Sequence, residues 1–139
     1  AHQCNCVSNR SAGIASSIFS QYPNASYPNQ AQRSPGTISV HNSPGIQSIN
    51  GDMYHQVAVN MYAQYYPGKP RSSDSGQQRF QWFRQCLFSI TEIDNINSIG
   101  FPYGIGCGLA RGNWTEYHDL LERFAEYVNF DVKLYHEFN

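Results

Sequence analysis

Residues 101–114 read Phe101-Pro102-Tyr103-Gly104-Ile105-Gly106-Cys107-Gly108-Leu109-Ala110-Arg111-Gly112-Asn113-Trp114, and their reading decides how the rest of the chain is placed. The apolar run Ile99 to Tyr103 predicts a short strand. Four glycines follow within the nine residues 104–112. Glycine admits positive φ and lets backbone approach a ligand closely. Asn113, with Glu116 three residues on, has capping-box spacing, so a helix starts at Trp114. Trp114, Tyr117, Leu121, Phe124 and Val128 then keep one helical face. In a strand–glycine loop–helix unit, successive N–H groups near a helix N-terminus cradle an anion without needing lysine. The G-K-[ST] ending of a P-loop is missing, and so is G-x-G-x-x-G followed by a ribose-binding acid. The competing reading is a connection rich in glycine only for close packing.

Working outward, the apolar positions 14, 15, 18, 19 and 22 predict a helix from Gly13 to Tyr22, ended by Tyr22-Pro23. Asn24 to Gly36 reads as a polar loop. Thr37 to Asn42 and Ile46 to Ile49 read as strands, the second turning at Asn50-Gly51 into a strand from Tyr54 to Tyr62. Tyr65 to Gly76 reads as loop, with Asp74 as the expected N-cap of a helix whose stripe is Phe80, Phe83, Leu87 and Ile90. Asp131 to His136 alternates and closes the chain as a strand. Strands alternating with helices predict an α/β layer fold with a largely parallel sheet.

The 139 residues suffice for one domain. Hydrophobic residues make up 40% and charged ones 14%, which excludes a disordered tail or a coiled coil. A net charge of −1 gives no basic excess for gripping a nucleic acid duplex. No apolar run reaches the roughly 18–20 residues of a membrane helix, and no signal peptide is visible. Cys4, Cys6, Cys86 and Cys107 lack zinc spacing and lack a secreted disulfide pattern. They read as free thiols in a reducing compartment, hence an intracellular protein, cytoplasmic or nuclear. The sequons at Asn9, Asn24 and Asn113 are discounted in so Asn- and Ser-rich a chain. No metal and no cofactor is expected.

The string from Phe101 to Trp114 resembles the second phosphate loop of macro domains. The resemblance points to the branch holding ADP-ribose 1″-phosphate phosphatases and ADP-ribosyl hydrolases. Two further segments agree. Ala1-His2-Gln3-Cys4-Asn5-Cys6 followed by Ala12-Gly13-Ile14-Ala15 resembles an early strand and the first glycine loop. Val59-Asn60-Met61-Tyr62-Ala63-Gln64 resembles a central strand. The resemblance implies a three-layer α/β/α fold with a mixed, largely parallel sheet, spanning 1–139 as a single macro-like domain that lacks the first strand or strands at its N-terminus.

The resemblance also implies roles. Asn5 takes the place of the asparagine facing the distal ribose and is, with His2, a candidate catalytic residue. Ala12, Gly13, Ile14 and Ala15 lie along the diphosphate from one side. Ile105, Gly106, Cys107, Gly108, Leu109 and Ala110 close over it from the other, and Phe138 is an aromatic candidate for stacking on adenine. One subgroup of the family places an aspartate where this chain has Ala110, and a lysine on the central strand where it has Asn60-Met61-Tyr62. The covalent lysine–aspartate mechanism is therefore not expected. Proton handling would fall to His2, as an acid–base titrating near neutrality, to Cys107, a thiol that loop dipoles could acidify, or to a phosphate-activated water. The expected function is binding of ADP-ribose or a derivative with metal-independent hydrolysis of ADP-ribose 1″-phosphate. The alternatives are a non-catalytic ADP-ribose reader that also takes an ADP-ribosylated protein, an ADP-ribosyl hydrolase, or a structural domain of a larger viral or phage protein.

Overall fold

The computed structural model of the protein describes residues 1–29, 33–49 and 52–136. In chain order the elements are β1 (His2–Cys4), α1 (Ile14–Gln21), β2 (Ile38–Ile49), β3 (Asp52–Tyr62), α2 (Gly76–Thr91), β4 (Ser98–Pro102), α3 (Trp114–Tyr127) and β5 (Asp131–Tyr135). Within the segment read as a plain polar loop, 3-10 turns form at Pro23–Ala25 and Tyr27–Asn29.

β3 is central. It pairs in parallel with β1, His2 opposite Asn60 and Cys4 opposite Tyr62, and antiparallel with β2. β4 and β5 pair in parallel. The Ala1 amine donates to the Gly100 carbonyl at 2.7 Å and so ties the start of β1 to β4. The two expected strands of residues 37–49 are one strand. Its register shifts where Asn42 faces Val57 but Ile46 faces His55, so β2 takes four steps while β3 takes two. The Asn50-Gly51 turn itself lies outside the described residues.

Strand side chains alternate between faces, and β3 uses both. Val59 and Met61 pack with α2, β4 and α3 around Phe83, Leu87, Phe101, Leu121 and Phe124. Ala58 and Tyr62 pack on the opposite side with Cys4, Ala15, Ile18 and Phe19. The result is an α/β/α three-layer arrangement with a mixed sheet. Each fully buried side chain such as Phe83 contributes about 1.5–3 kcal/mol of transfer free energy.

One expected cap is corrected. Ser75, not Asp74, caps α2: its hydroxyl accepts from the Gln78 N–H at 3.1 Å, and the Gln78 side chain accepts from the Ser75 N–H at 2.8 Å. Asp74 is instead fully buried against Arg79. Asn113 caps α3 as expected, accepting from the Thr115 and Glu116 N–H groups. Among the described residues no helix is long and apolar enough to cross a membrane, and no cluster of three His, Cys, Asp or Glu side chains could hold a metal. All four cysteines are free thiols.

Candidate functional site

β1 and β4 both end at one edge of the sheet, and a glycine loop follows each. The two loops face one cleft of about 410 Å³. Ala12, Gly13, Ile14 and Ala15 line it on one side, and Ile105, Gly106, Gly108, Leu109 and Ala110 on the other. Asn5 and His2 lie on its wall as well. Cys107 does not line it; its thiol packs toward Gly112. Phe138 lies outside the described residues.

The second loop is a chain of tight turns. N–H to carbonyl bonds run from Ile105 to Pro102, Cys107 to Gly104, Arg111 to Gly108 and Gly112 to Gly106, at 2.9–3.1 Å. At Gly106 φ is +77°, and a Cβ there would sit 2.6 Å from the Tyr117 ring. Only glycine meets both conditions. The first loop is freer. Gly13 has φ +60° with open space where a Cβ would be. Ser8 pins the Arg10 backbone, its hydroxyl donating to the Arg10 carbonyl at 2.7 Å and accepting from the Arg10 N–H at 3.4 Å.

Helix α1 opens directly onto the cleft with no side-chain cap, whereas α2 and α3 both have one. Among the described residues, the N–H groups of Ile14 and Ala15 have no intramolecular acceptor, nor do those of Gly106, Gly108, Leu109 and Ala110. These donors sit on both walls of one cavity. Arg10 is the only charged side chain among the described residues lining it, and no carboxylate does. Free N–H donors near a helix N-terminus together with one guanidinium suit an anion.

His2 is buried. Its Nε2 lies 2.7 Å from Asn60 Oδ1, while Asn60 Nδ2 donates to the Ala25 carbonyl and to the Tyr62 hydroxyl. The amide oxygen therefore accepts, and His2 Nε2 donates. Burial lowers the His2 pKa to about 3; the neighbouring terminal amine adds to this and the Asn60 bond works against it. The imidazole is neutral at physiological pH, with its ring edge-on to Phe19. Burial pushes the Cys107 thiol up to about 11, so it stays protonated.

Asn5 is buried and does two jobs. Its Oδ1 accepts from the Val7 N–H at 3.1 Å and the Ser8 N–H at 2.7 Å, which shapes the loop that leads to α1. Its Nδ2 donates to the Tyr27 hydroxyl at 3.2 Å. Tyr27 was not singled out from the sequence because it falls in the polar 24–36 stretch.

Arg79 was also missed, and it organises the second wall. Its Nε and Nη2 bind the two Asp74 carboxylate oxygens at 2.9 and 2.6 Å. Its remaining donors reach the carbonyls of Gly68, Tyr66, Lys69 and Ala110. Gly68 and Ala110 both line the cleft, so one buried guanidinium joins the 66–69 segment to the second glycine loop. Burial pushes the Asp74 carboxyl up, but the Arg79 bonds and the Tyr66 N–H outweigh it and hold it below the usual carboxylate value. A signal did exist: an acid five residues before an arginine at a helix start. It is a weak one, because such pairs are usually solvated.

No known family model matches the chain. It is similar to an uncharacterised 17.5 kDa protein from the tk-vs intergenic region of Enterobacteria phage T4, 20% identical over 128 residues, covering 90% of this chain and 78% of the phage protein. Among solved structures it is similar to a protein of unknown function from Bacteroides thetaiotaomicron, with a TM-score of 0.69 and 22% identity, over 96% of this chain and 83% of that one. At this identity the likeness establishes a shared fold.

Proposed function

We propose that the cleft binds ADP-ribose or a derivative of it, the diphosphate lying between the two glycine loops. The observation that supports this most directly is the opposed pair of loops, each carrying N–H groups that have no acceptor among the described residues, around a cavity whose only charged side chain among those residues is Arg10. The volume lies in the range of ligand pockets, roughly 300–1,000 Å³. Backbone donors explain how a lysine-poor, nearly neutral chain can hold a dianionic group. Asn5, at the loop that follows β1, is where the resemblance places the distal ribose.

Binding is favoured over turnover by the state of the proton-handling candidates. His2 is neutral and committed to Asn60, and the Cys107 thiol is protonated and turned from the cleft. A reader of ADP-ribose, free or attached to protein, needs neither. Calorimetry with ADP-ribose tests the proposal. A saturable heat is expected, together with stabilisation of about 2.7 kcal/mol at a hundredfold excess over Kd. No heat and an unchanged Tm at millimolar ligand would overturn it. Incubation with ADP-ribose 1″-phosphate in the same series reads catalysis directly: released phosphate would replace the reader with the hydrolase.

A further inference from the structure

Tyr27 is buried, and its position is set from several sides. Phe19 meets its ring edge-on at 5.0 Å. The Arg33 guanidinium lies over the ring at 4.7 Å and donates from Nη1 to the Asn5 carbonyl at 3.2 Å. The Tyr27 hydroxyl accepts twice from one residue, from the Asn5 N–H at 3.1 Å and from Asn5 Nδ2 at 3.2 Å. Its own proton is left for the neighbouring Cys4 thiol. Tyr27 thus grips Asn5 by backbone and side chain together.

The bonds around the Asn5 carboxamide can be counted. Its oxygen has two lone-pair sites, and the Val7 and Ser8 N–H groups occupy both. Those two donors also fix which end of the amide is oxygen. Its nitrogen has two hydrogens, and Tyr27 takes one. One N–H remains, on a residue that lines the cleft. We infer that Tyr27 is a positioning residue which makes Asn5 a single-proton donor, so that Asn5 reads a lone-pair oxygen on the distal part of the ligand and itself accepts no proton from it. This rests on the ADP-ribose reading, which supplies the oxygen: a distal ribose hydroxyl or ring oxygen that ADP lacks.

The test compares ADP-ribose and ADP as probes on wild type, Tyr27→Phe, Asn5→Ala and the double variant. ADP binding reports an intact diphosphate cradle; the ADP-ribose to ADP affinity ratio reports the distal contact. Losing one aimed hydrogen bond lowers affinity by roughly three- to tenfold. Tyr27→Phe is expected to lower ADP-ribose affinity by that factor while leaving ADP unchanged. The double variant should lose no more than Asn5→Ala alone, because the two residues act as one unit. Arg33→Met, which removes the half-buried guanidinium over the Tyr27 ring and its bond to the Asn5 carbonyl, should lower the ratio in the same direction and by less, and it carries the test if Tyr27→Phe fails to fold. A ratio unchanged in the folded variants, or losses that simply multiply in the double variant, would overturn the positioning role even if wild type binds ADP-ribose well. Wild type that binds neither probe would instead overturn the ADP-ribose reading itself.

Discussion

The two walls of the cleft are built differently. Residues 104–112 are stitched by four turn bonds, packed on Tyr117 and held from beneath by Arg79. Residues 7–15 are mostly exposed and are held at few points: the Asn5 amide, the Ser8–Arg10 pair and the start of α1. One wall is pre-organised, and the other keeps freedom to adjust. On the proposed function, binding a ligand would require ordering mainly one side, which limits the entropic penalty. The fixed wall would then set where an anion sits and the first wall how tightly it is enclosed.

The largest expected effect breaks the fixed wall. Arg79→Leu leaves Asp74 buried without its cation and should destabilise the fold by about 3–5 kcal/mol in urea unfolding. Replacing both partners by apolar residues should recover part of that loss. An Arg79→Leu protein as stable as wild type would show that the second wall does not depend on the clamp. The next effect compares the loops through equivalent changes. Gly106→Ala meets the Tyr117 ring at positive φ and should lose about 2–3 kcal/mol, whereas Gly13→Ala faces open space and should lose about 1 kcal/mol. Reversed magnitudes would mean that the first wall is the rigid one.

The smallest effect is in pH. The folded pKa of His2, about 3, lies below its ordinary value of 6.5, so the unfolded chain takes up the proton first. The His2 contribution is fully present above pH 6.5 and is lost as pH falls toward 3. From pH 7 to pH 6 stability should drop by less than about 1 kcal/mol, and His2→Gln should remove that part of the slope. The depressed Asp74 carboxyl contributes above its ordinary 3.8 and is lost only below it. Acid should therefore loosen the β1–α1 side before the Arg79 side, which hydrogen exchange at pH 5 can follow. Simultaneous loosening of both sides would remove the distinction.

The elements were readable because local patterns control them. Helical stripes at Ala15, Ile18 and Phe19, and again from Trp114 to Phe124, mark faces that pack on the sheet, whereas Ile14 of the first stripe is exposed. The glycine loops were readable because glycine density follows a strand and precedes a helix. Asp74 was misread because Asp and Ser are both good caps and stand side by side. What separates them is that Arg79 folds back under the helix start, which no local preference encodes. The polar floor was beyond a local reading for the same reason. His2 finds Asn60 fifty-eight positions away, and Asn5 finds Tyr27 twenty-two away. Only the parallel pairing of β1 with β3 brings the first pair together.

The offset between Asn42 and Ile46 bears on how the molecule behaves at high concentration. β2 is an outer strand of its three-stranded sheet and the longest strand among the described residues. A continuous outer strand of twelve residues would template pairing with another copy and seed aggregates. The two extra residues break the ladder midway, and Pro44, inside the offset, has no N–H to offer a neighbour. Both step counts are even, so the alternation of faces survives the interruption. The strand keeps its place against β3 while losing the regular rim that self-association would need.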